Sequence, residues 1–194
     1  MYRIYTTDAF VLGSEPAAEA SLKITLFTRE LGLVRAHAQG VRLLSSKLKS
    51  GLQILALSRV SLVRGREVWR LTSAVAGPLA LGSREGEKRL LWARLLALVA
   101  RLIHGEEADE QLYTMLEHFY EFVLSEELDR EQLHCAEVLA TLRILDHLGY
   151  VGDRHESLQL LMVEPLALAT LANVGKEVLQ MQTVINNSLQ ASQL

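Results

Sequence analysis

Cysteine occurs once in this chain, at Cys135, so no internal disulfide and no cysteine-based zinc site can form. The amino-terminal MYRIYTTDAF has neither a positively charged start nor an apolar stretch behind it, so it gives no sign of a secretory leader. A reducing cytoplasm is the expected setting. The richest apolar windows, residues 90–103 and 158–174, are broken by charge or proline and fall short of the ~18–20 residues of a spanning helix, so no membrane span is expected. Catalytic signatures are missing too. There is no Walker-type loop with Lys-Ser/Thr, no G-x-S-x-G elbow, no H-E-x-x-H and no G-x-G-x-x-G between strand and helix. These absences point away from an enzyme, and no cofactor is expected.

What is present suffices for a folded core. Of the 194 residues, 49% are apolar and 22% charged, which is ordinary for a globular chain and leaves one large domain or two small ones open. The net charge of −3 conceals an asymmetry. Residues 1–75 hold 11 Lys/Arg against 5 acids, a charge of +6, whereas the remainder holds 9 against 18, a charge of −9. Two units with different partners follow naturally, and a polyanion suits the first. Differently solvated surfaces are the plain alternative.

From Arg3 to Leu12, β-branched and aromatic residues alternate in part before Gly13-Ser14, predicting a first strand that ends there, with Glu15 to Ala20 as a connection around Pro16. Leu22, Ile24 and Leu26 then share one face while Lys23, Thr25 and Phe27 share the other, the period of a half-buried strand. Phe27 is the exception on the polar face. Arg29-Glu30-Leu31-Gly32 predicts a turn, and beyond it Val34, Ala36 and Ala38 oppose Arg35, His37 and Gln39. Small residues on the buried side suit a strongly curved wall. Gly40 and Gly51 bracket VRLLSSKLKS, a helical turn or loop carrying Arg42, Lys47 and Lys49. Gln53–Val63 and Glu67–Val75 predict a last pair of strands joined by Arg64-Gly65-Arg66.

Five strands with glycine at the corners match an OB-type barrel, although an SH3-like barrel or a small open sheet would give a similar string. The expected architecture is α+β in two domains: a five-stranded OB-fold barrel over residues 1–76, a linker over 77–86 around Gly77-Pro78, and an all-helical domain over 87–194.

In the second half the period becomes 3.6. Leu90, Leu91, Arg94, Leu95, Leu98 and Leu102 form one stripe ended by Gly105, and Leu112, Met115, Leu116, Phe119, Phe122 and Val123 form another. Asp129-Arg130-Glu131 opens a third helix containing Leu133, Val138, Leu142, Leu145 and Leu148, and Gly149 stops it. Val151 to Ser157 reads as a polar loop. Pro165 is placed in the first turn of a further helix or helix pair, whose band runs through Leu166, Leu168, Leu171, Val174, Val178, Met181, Ile185 and Leu189.

Five histidines lie in this half, and His118 with Glu121, or His134 with Glu137, has the i, i+3 spacing of carboxylate-bridged metal bundles. Glu117 and Glu121 read as the solvated side of their helix, so no metal site is assigned. Cys135 reads as a packed thiol. The cations make the stronger case. Lys23 and Arg35 project from the outward faces of paired strands, Arg64 and Arg66 occupy a turn, Arg70 lies opposite Trp69, and Arg42, Lys47 and Lys49 occupy the loop. All eight are candidate phosphate ligands. Phe27, Tyr2, Tyr5 and Trp69 are the available stacking residues, with Trp69 assigned to the core.

The run LKITLFTRELGLVRAHAQGVRLLSSKLKSGLQ, followed by SLVRGREVWRLTSA, resembles the N-terminal domain of the bacterial recombination mediator family RecO. In that family a strand, "LFT", a turn with glycine, a strand, "KG-x-R", a basic "SK" segment and a late "RG…W-x-L" hairpin recur. LRILDHLGYVGD is similar to the "LR-x-L-x-x-LGY" segment of the family's helical domain. The resemblance implies an OB-fold that binds single- and double-stranded DNA, joined to helices. It also implies annealing of complementary strands, engagement of the C-terminal tail of single-stranded DNA-binding protein, and cooperation with RecR in loading RecA, all without bond-making chemistry and at the nucleoid.

Three departures from the family pattern stand out. No four-cysteine zinc module follows the "LGY" segment, "KG-x-R" becomes Gln39-Gly40-Val41-Arg42, and SLQASQL stands where relatives are often more basic. The competing expectation is a protein-interaction scaffold whose barrel has lost DNA binding. In either case the helical stripes could hold an amphipathic peptide, with Arg94, Arg101 and Arg143 as the candidates to meet its acidic end.

Overall fold

A computed structural model describes residues 3–18, 20–41, 46, 48–77, 86–152 and 156–191. Five strands, β1 (Ile4–Ala18), β2 (Ser21–Thr28), β3 (Gly32–Ala38), β4 (Leu57–Arg64) and β5 (Trp69–Ala76), close into a barrel in the order β1-β2-β3-β5-β4. A 3-10 turn, Ser50–Leu52, lies between β3 and β4. The helices are α1 (Gly86–Leu102), α2 (Glu110–Ser125), α3 (Arg130–His147), α4 (Glu156–Val163) and α5 (Leu168–Ala191). This is the α+β arrangement of an OB-type barrel followed by helices.

Closure comes from two pairings. β1 meets β4 antiparallel from Ile4↔Val63 to Phe10↔Leu57, and β3 meets β5 in parallel through Ala36↔Trp69, His37↔Arg70 and Ala38↔Leu71. β1 does not stop at Gly13. It continues to Ala18 with irregular register between Val11 and Gly13, because a strand serving two neighbours must bend, and a bulge at glycine bends it. Pro16 is tolerated there since β1 past Phe10 has left β4 and ladders only with β2.

The alternation of β2 and β3 fills the barrel. Ile24, Leu26, Val34, Ala36 and Ala38 are wholly buried with Val60, Leu62 and Trp69. The β2–β3 turn is fixed by Thr28, whose hydroxyl donates to the Gly32 carbonyl (2.9 Å) and accepts the Leu31 N–H (3.0 Å).

Two aromatic residues point out of the barrel and are nevertheless buried, Phe10 and Phe27. Contacts divide the chain into two units, and residues 92–114 belong to the one that contains the barrel. Tyr113 packs on Phe27 (5.8 Å between centroids) and on Phe10 (5.1 Å), and Trp92 meets Phe10 edge-on at 5.2 Å. This explains Phe27. Burial of each ring contributes about 2–3 kcal/mol. The Trp92 indole N–H donates to the carbonyl of Leu55 (3.0 Å), whose own N–H bonds Val11, and these anchors hold Leu55 at a φ of 76°, unusual for a side chain other than glycine.

The stripe on α1 is therefore rotated from the leucine-based expectation. Leu90 is exposed, whereas Trp92, Leu96 and Val99 are buried beside Leu91, Leu95 and Leu102. On α2 the buried set includes Tyr113 and Tyr120.

The second unit contains residues 86–91 and those from Met115 onward. Its centre is α3, buried along most of its length from Leu133 to Leu145. Asp129 caps α3 reciprocally with Gln132 (2.8 and 2.9 Å), and Gly149 (φ 78°) ends it, with its N–H on Asp146 and that of Tyr150 on Leu145. α4 begins at Glu156, inside the stretch expected to be a loop, and Pro165 falls in the connection before α5 rather than in a first turn. There the Pro165 carbonyl accepts the hydroxyl of Thr170 at 2.7 Å. The Arg143 guanidinium donates to the carbonyls of Leu161 (2.6 Å) and Glu164, satisfying the end of α4, and burial lowers its pKa against the opposing pull of Glu164.

Two stability changes follow. Gly32 has φ 67°, and a Cβ on it would meet the backbone oxygen of Glu107 at 2.2 Å, so Gly32→Ala should cost about 2–3 kcal/mol. Both tryptophans, Trp69 and Trp92, lie in the barrel unit, so urea denaturation followed by tryptophan emission reads that loss directly. Arg143→Ala strands two helix-end carbonyls and should cost about 1–3 kcal/mol, read as a lowered far-ultraviolet melting midpoint.

Candidate nucleic-acid interface

Strand parity decides which cations face solvent. Because Ala36, Trp69 and Leu71 point inward, their neighbours Arg35, His37 and Arg70 point outward. Register aligns them into a row: Lys23 on β2 pairs with His37 on β3, and His37 pairs with Arg70 on β5. Adjacent strands are ~4.8 Å apart, which places Lys23 and Arg70 about 10 Å from one another with the imidazole between. Arg35, two residues before His37, adds a cation on the same face opposite Thr25. Glu15 stands beside Lys23 at the β1 end, so the row is bounded by a carboxylate on one side and open toward β5. Among these, Arg35 and Arg70 are exposed and Lys23 is half-buried.

Clustering these charges costs little. At ~10 Å in water two cations repel by about 0.4 kcal/mol, and a polyanion lying across them reverses the sign. Chains of alternating side chains on a curved sheet give this result without any special residue.

The β4–β5 hairpin extends the surface. Its turn, held by the Gly65 N–H on the Val68 carbonyl (3.0 Å), exposes Arg66, and Val63, Gly65, Arg66, Glu67, Val68 and Arg70 line a concavity. Arg64, the last residue of β4, lays its guanidinium over the Trp69 ring, 5.3 Å from the centroid, and lies 3.4 Å from a Glu106 oxygen. The other Glu106 oxygen accepts the Trp69 indole N–H at 2.9 Å. In OB-type barrels the β2–β3 face and the β4–β5 loop are the surfaces that take oligonucleotides.

The predicted residues thus fall into groups. Lys23, Arg35 and Arg70 share one face, and Arg64 and Arg66 adjoin it at the hairpin. Lys49 is exposed at the start of the 3-10 turn, where Gly51 packs on Ala74, four residues or about 13 Å along β5 from Arg70. Arg42 and Lys47 lie outside the described residues. Sequence reasoning passed over His37, although its shared face with Arg35 was the available signal. Glu106 had no such signal, being 37 residues from Trp69.

The stacking candidates are committed to packing. Phe27 is 0% and Trp69 4% exposed, and Tyr5 meets Trp69 edge-on at 5.4 Å, while Tyr2 lies outside the described residues.

The candidate peptide-docking arginines are not gathered into one place. Arg94 and Arg101 are exposed on the part of α1 that belongs to the barrel unit, whereas Arg143 is in the other unit and serves α4. His134 contacts Gln182 at 3.0 Å, and among the described residues no group of three or more His, Cys, Asp or Glu is placed to hold a metal ion. The Cys135 thiol is buried, and burial, then Glu131 and Asp129, raise its pKa, which keeps it protonated and unreactive. Among the described residues no helix is long and apolar enough to cross a membrane.

Comparison with known proteins gives this geometry a lineage. Residues 1–77 match the family described as recombination protein O, N terminal. The chain is 35% identical over 158 residues to the DNA repair protein RecO of an Enterobacter species, covering 75% of this chain and 60% of that protein. It is 30% identical over 167 residues to the DNA repair protein RecO of Heliobacterium modesticaldum, covering 86% and 59%. The corresponding protein of Alkaliphilus metalliredigens is 27% identical over 128 residues, covering 66% and 52%. The chain therefore spans between half and two thirds of the length of these relatives. Residues 1–77 thus match the N-terminal domain family of recombination protein O, and the alignments to RecO proteins run well beyond the barrel, which places the chain among the relatives of that family.

Proposed function

We propose that this protein serves DNA repair and homologous recombination as a non-catalytic mediator: it binds single- and double-stranded DNA through the barrel and promotes annealing of complementary strands. On this reading it also helps RecR load RecA onto strands coated with single-stranded DNA-binding protein, whose C-terminal tail it engages, in the cytoplasm at the nucleoid. The observation that carries the reading is the row Lys23–His37–Arg70, with a cation at each end and Arg35 beside it, on the outer face of a barrel that matches the RecO N-terminal family. Arg66 and Lys49 extend the reach of that face, and Arg42 and Lys47 belong to the same proposal. Peptide docking is assigned to the helices, with Arg94, Arg101 and Arg143 retained as its candidates.

The chemistry of such a surface favours annealing over sequence reading. Arginine and lysine on phosphates position a strand without reading its bases. With Phe27 and Trp69 buried, the bases of a bound strand are left free to pair. Screening of phosphate repulsion between two strands is then the physical contribution of the protein, and no bond is made or broken.

The pair Lys23→Glu and Arg70→Glu should weaken binding of a fluorescein-labelled oligonucleotide by at least tenfold at about 0.1 M salt. It should also lower the magnitude of the slope of log K against log salt by roughly 1.5, since each phosphate contact contributes ~0.7–0.9. The rate of fluorescence-detected annealing should fall in parallel. Unchanged affinity across the salt titration would rule out this face as the DNA surface and leave a protein-interaction scaffold as the reading.

A further inference from the structure

Resting on that DNA-binding reading, we infer that Glu106 is a resident competitor for phosphate at the β4–β5 end of the barrel, and so sets how tightly a strand that reaches Arg64 is held. Three observations converge on its carboxylate. One oxygen accepts the Trp69 indole N–H at 2.9 Å, the other lies 3.4 Å from the Arg64 guanidinium, and that guanidinium lies over the face of the same indole. A guanidinium and a fixed N–H converging on one anion form a donor set that a phosphate oxygen satisfies as well as a carboxylate does.

The position is built rather than incidental. Trp69 is buried in the barrel and buttressed by Tyr5, so packing sets the direction of its N–H. The segment carrying Glu106 is tied to the barrel on both sides: the Gly105 carbonyl accepts the Leu33 N–H at 3.1 Å, and the Glu107 backbone is seated against Gly32 so closely that only glycine fits. The carboxylate is therefore presented to Arg64 by the backbone. The pair itself remains open to water, with side-chain exposures of 65% for Arg64 and 41% for Glu106, and ion pairs of that exposure are weak. A diester phosphate arriving at Arg66 and Arg70 has released counterion on its side and can displace the carboxylate from Arg64, whereas a neutral ligand cannot.

Glu106→Gln tests this in the full chain, because glutamine keeps a carbonyl oxygen for the Trp69 indole and removes only the charge. Binding of fluorescein-labelled oligothymidylate should tighten about three- to tenfold at ~0.1 M salt, because the strand no longer has to break the Glu106–Arg64 pair to reach Arg64. Arg64→Gln in the same background should abolish the gain, and Arg64→Gln alone should weaken binding, because the strand loses the cation it takes from Glu106. In the wild type, adding the oligonucleotide should shift the indole N–H resonance of Trp69. An affinity unaltered by Glu106→Gln, or a gain that survives Arg64→Gln, would overturn the inference. If the wild type binds and Lys23→Glu with Arg70→Glu weakens it, that failure belongs to Glu106 alone. If neither the wild type nor Glu106→Gln binds, the DNA-surface reading falls and the inference with it.

Discussion

The parallel pairing of β3 with β5 is the constraint on which both the core and the candidate interface depend. It sets Ala36 against Trp69 and His37 against Arg70. One register therefore decides two things at once. Three alanines and a valine line the inner side near the seam, Val34, Ala36, Ala38 and Ala74, and their small volumes leave space for a buried indole. A slip of one residue would turn Arg70 inward and Trp69 outward, exchanging an apolar group for an unpaired charge in the barrel. Effective penalties of several kcal/mol for such a charge make the register specific without any sequence motif at the seam. The cationic face is the reverse side of that core.

The outer surface of the barrel is divided between two uses. Where Phe10 and Phe27 point outward, Trp92 and Tyr113 cover them, and Arg29 lies over the Tyr113 ring at 4.7 Å. Where Lys23, Arg35 and Arg70 point outward, the same alternation delivers charge. Aromatic residues make up only 6% of the chain, and those of the barrel unit are spent largely on packing against one another. What is left for a nucleic acid is electrostatic, which on the proposed reading suits a surface that must hold a strand while its bases remain available.

How far the sequence disclosed this depended on whether a pattern was local. The two faces of β2 and β3, the turn at Gly32 and the cap at Asp129 were legible because period, glycine and capping chemistry act within a few residues. Gly13 and Pro16 misled for the same reason: each is a local breaker, and only the demand that β1 serve both β2 and β4 explains why the strand runs through them. On α1 the leucines outnumber the inward positions, so hydropathy alone chose Leu90 over Trp92. The deciding contacts, with Phe10 and the Leu55 carbonyl, are more than thirty residues away. Composition marked where the strands stop, but not that residues 92–114 pack with them. Trp69 was assigned to the interior because it shares a face with Leu71, and Cys135 was read as a packed thiol because its helical neighbour His134 does not face it, and both are buried.

Restraint in the cation count has a physical rationale under the proposed role. A strand-annealing surface must release the duplex it forms, and release slows roughly exponentially with the number of phosphates neutralised, because each contact adds a separate counterion term. Gln39 in place of an expected lysine removes one such term by substitution. The carboxylate of Glu106 on Arg64 withholds another conditionally, since it yields only to an anion already held by neighbouring cations. The two devices differ in kind. The first removes a contact from every bound strand, whereas the second leaves the contact in place and requires the strand to break one ion pair. On the proposed reading, a chain whose first 75 residues carry +6 holds a polyanion reversibly, with acids and neutral residues limiting what its arginines hold.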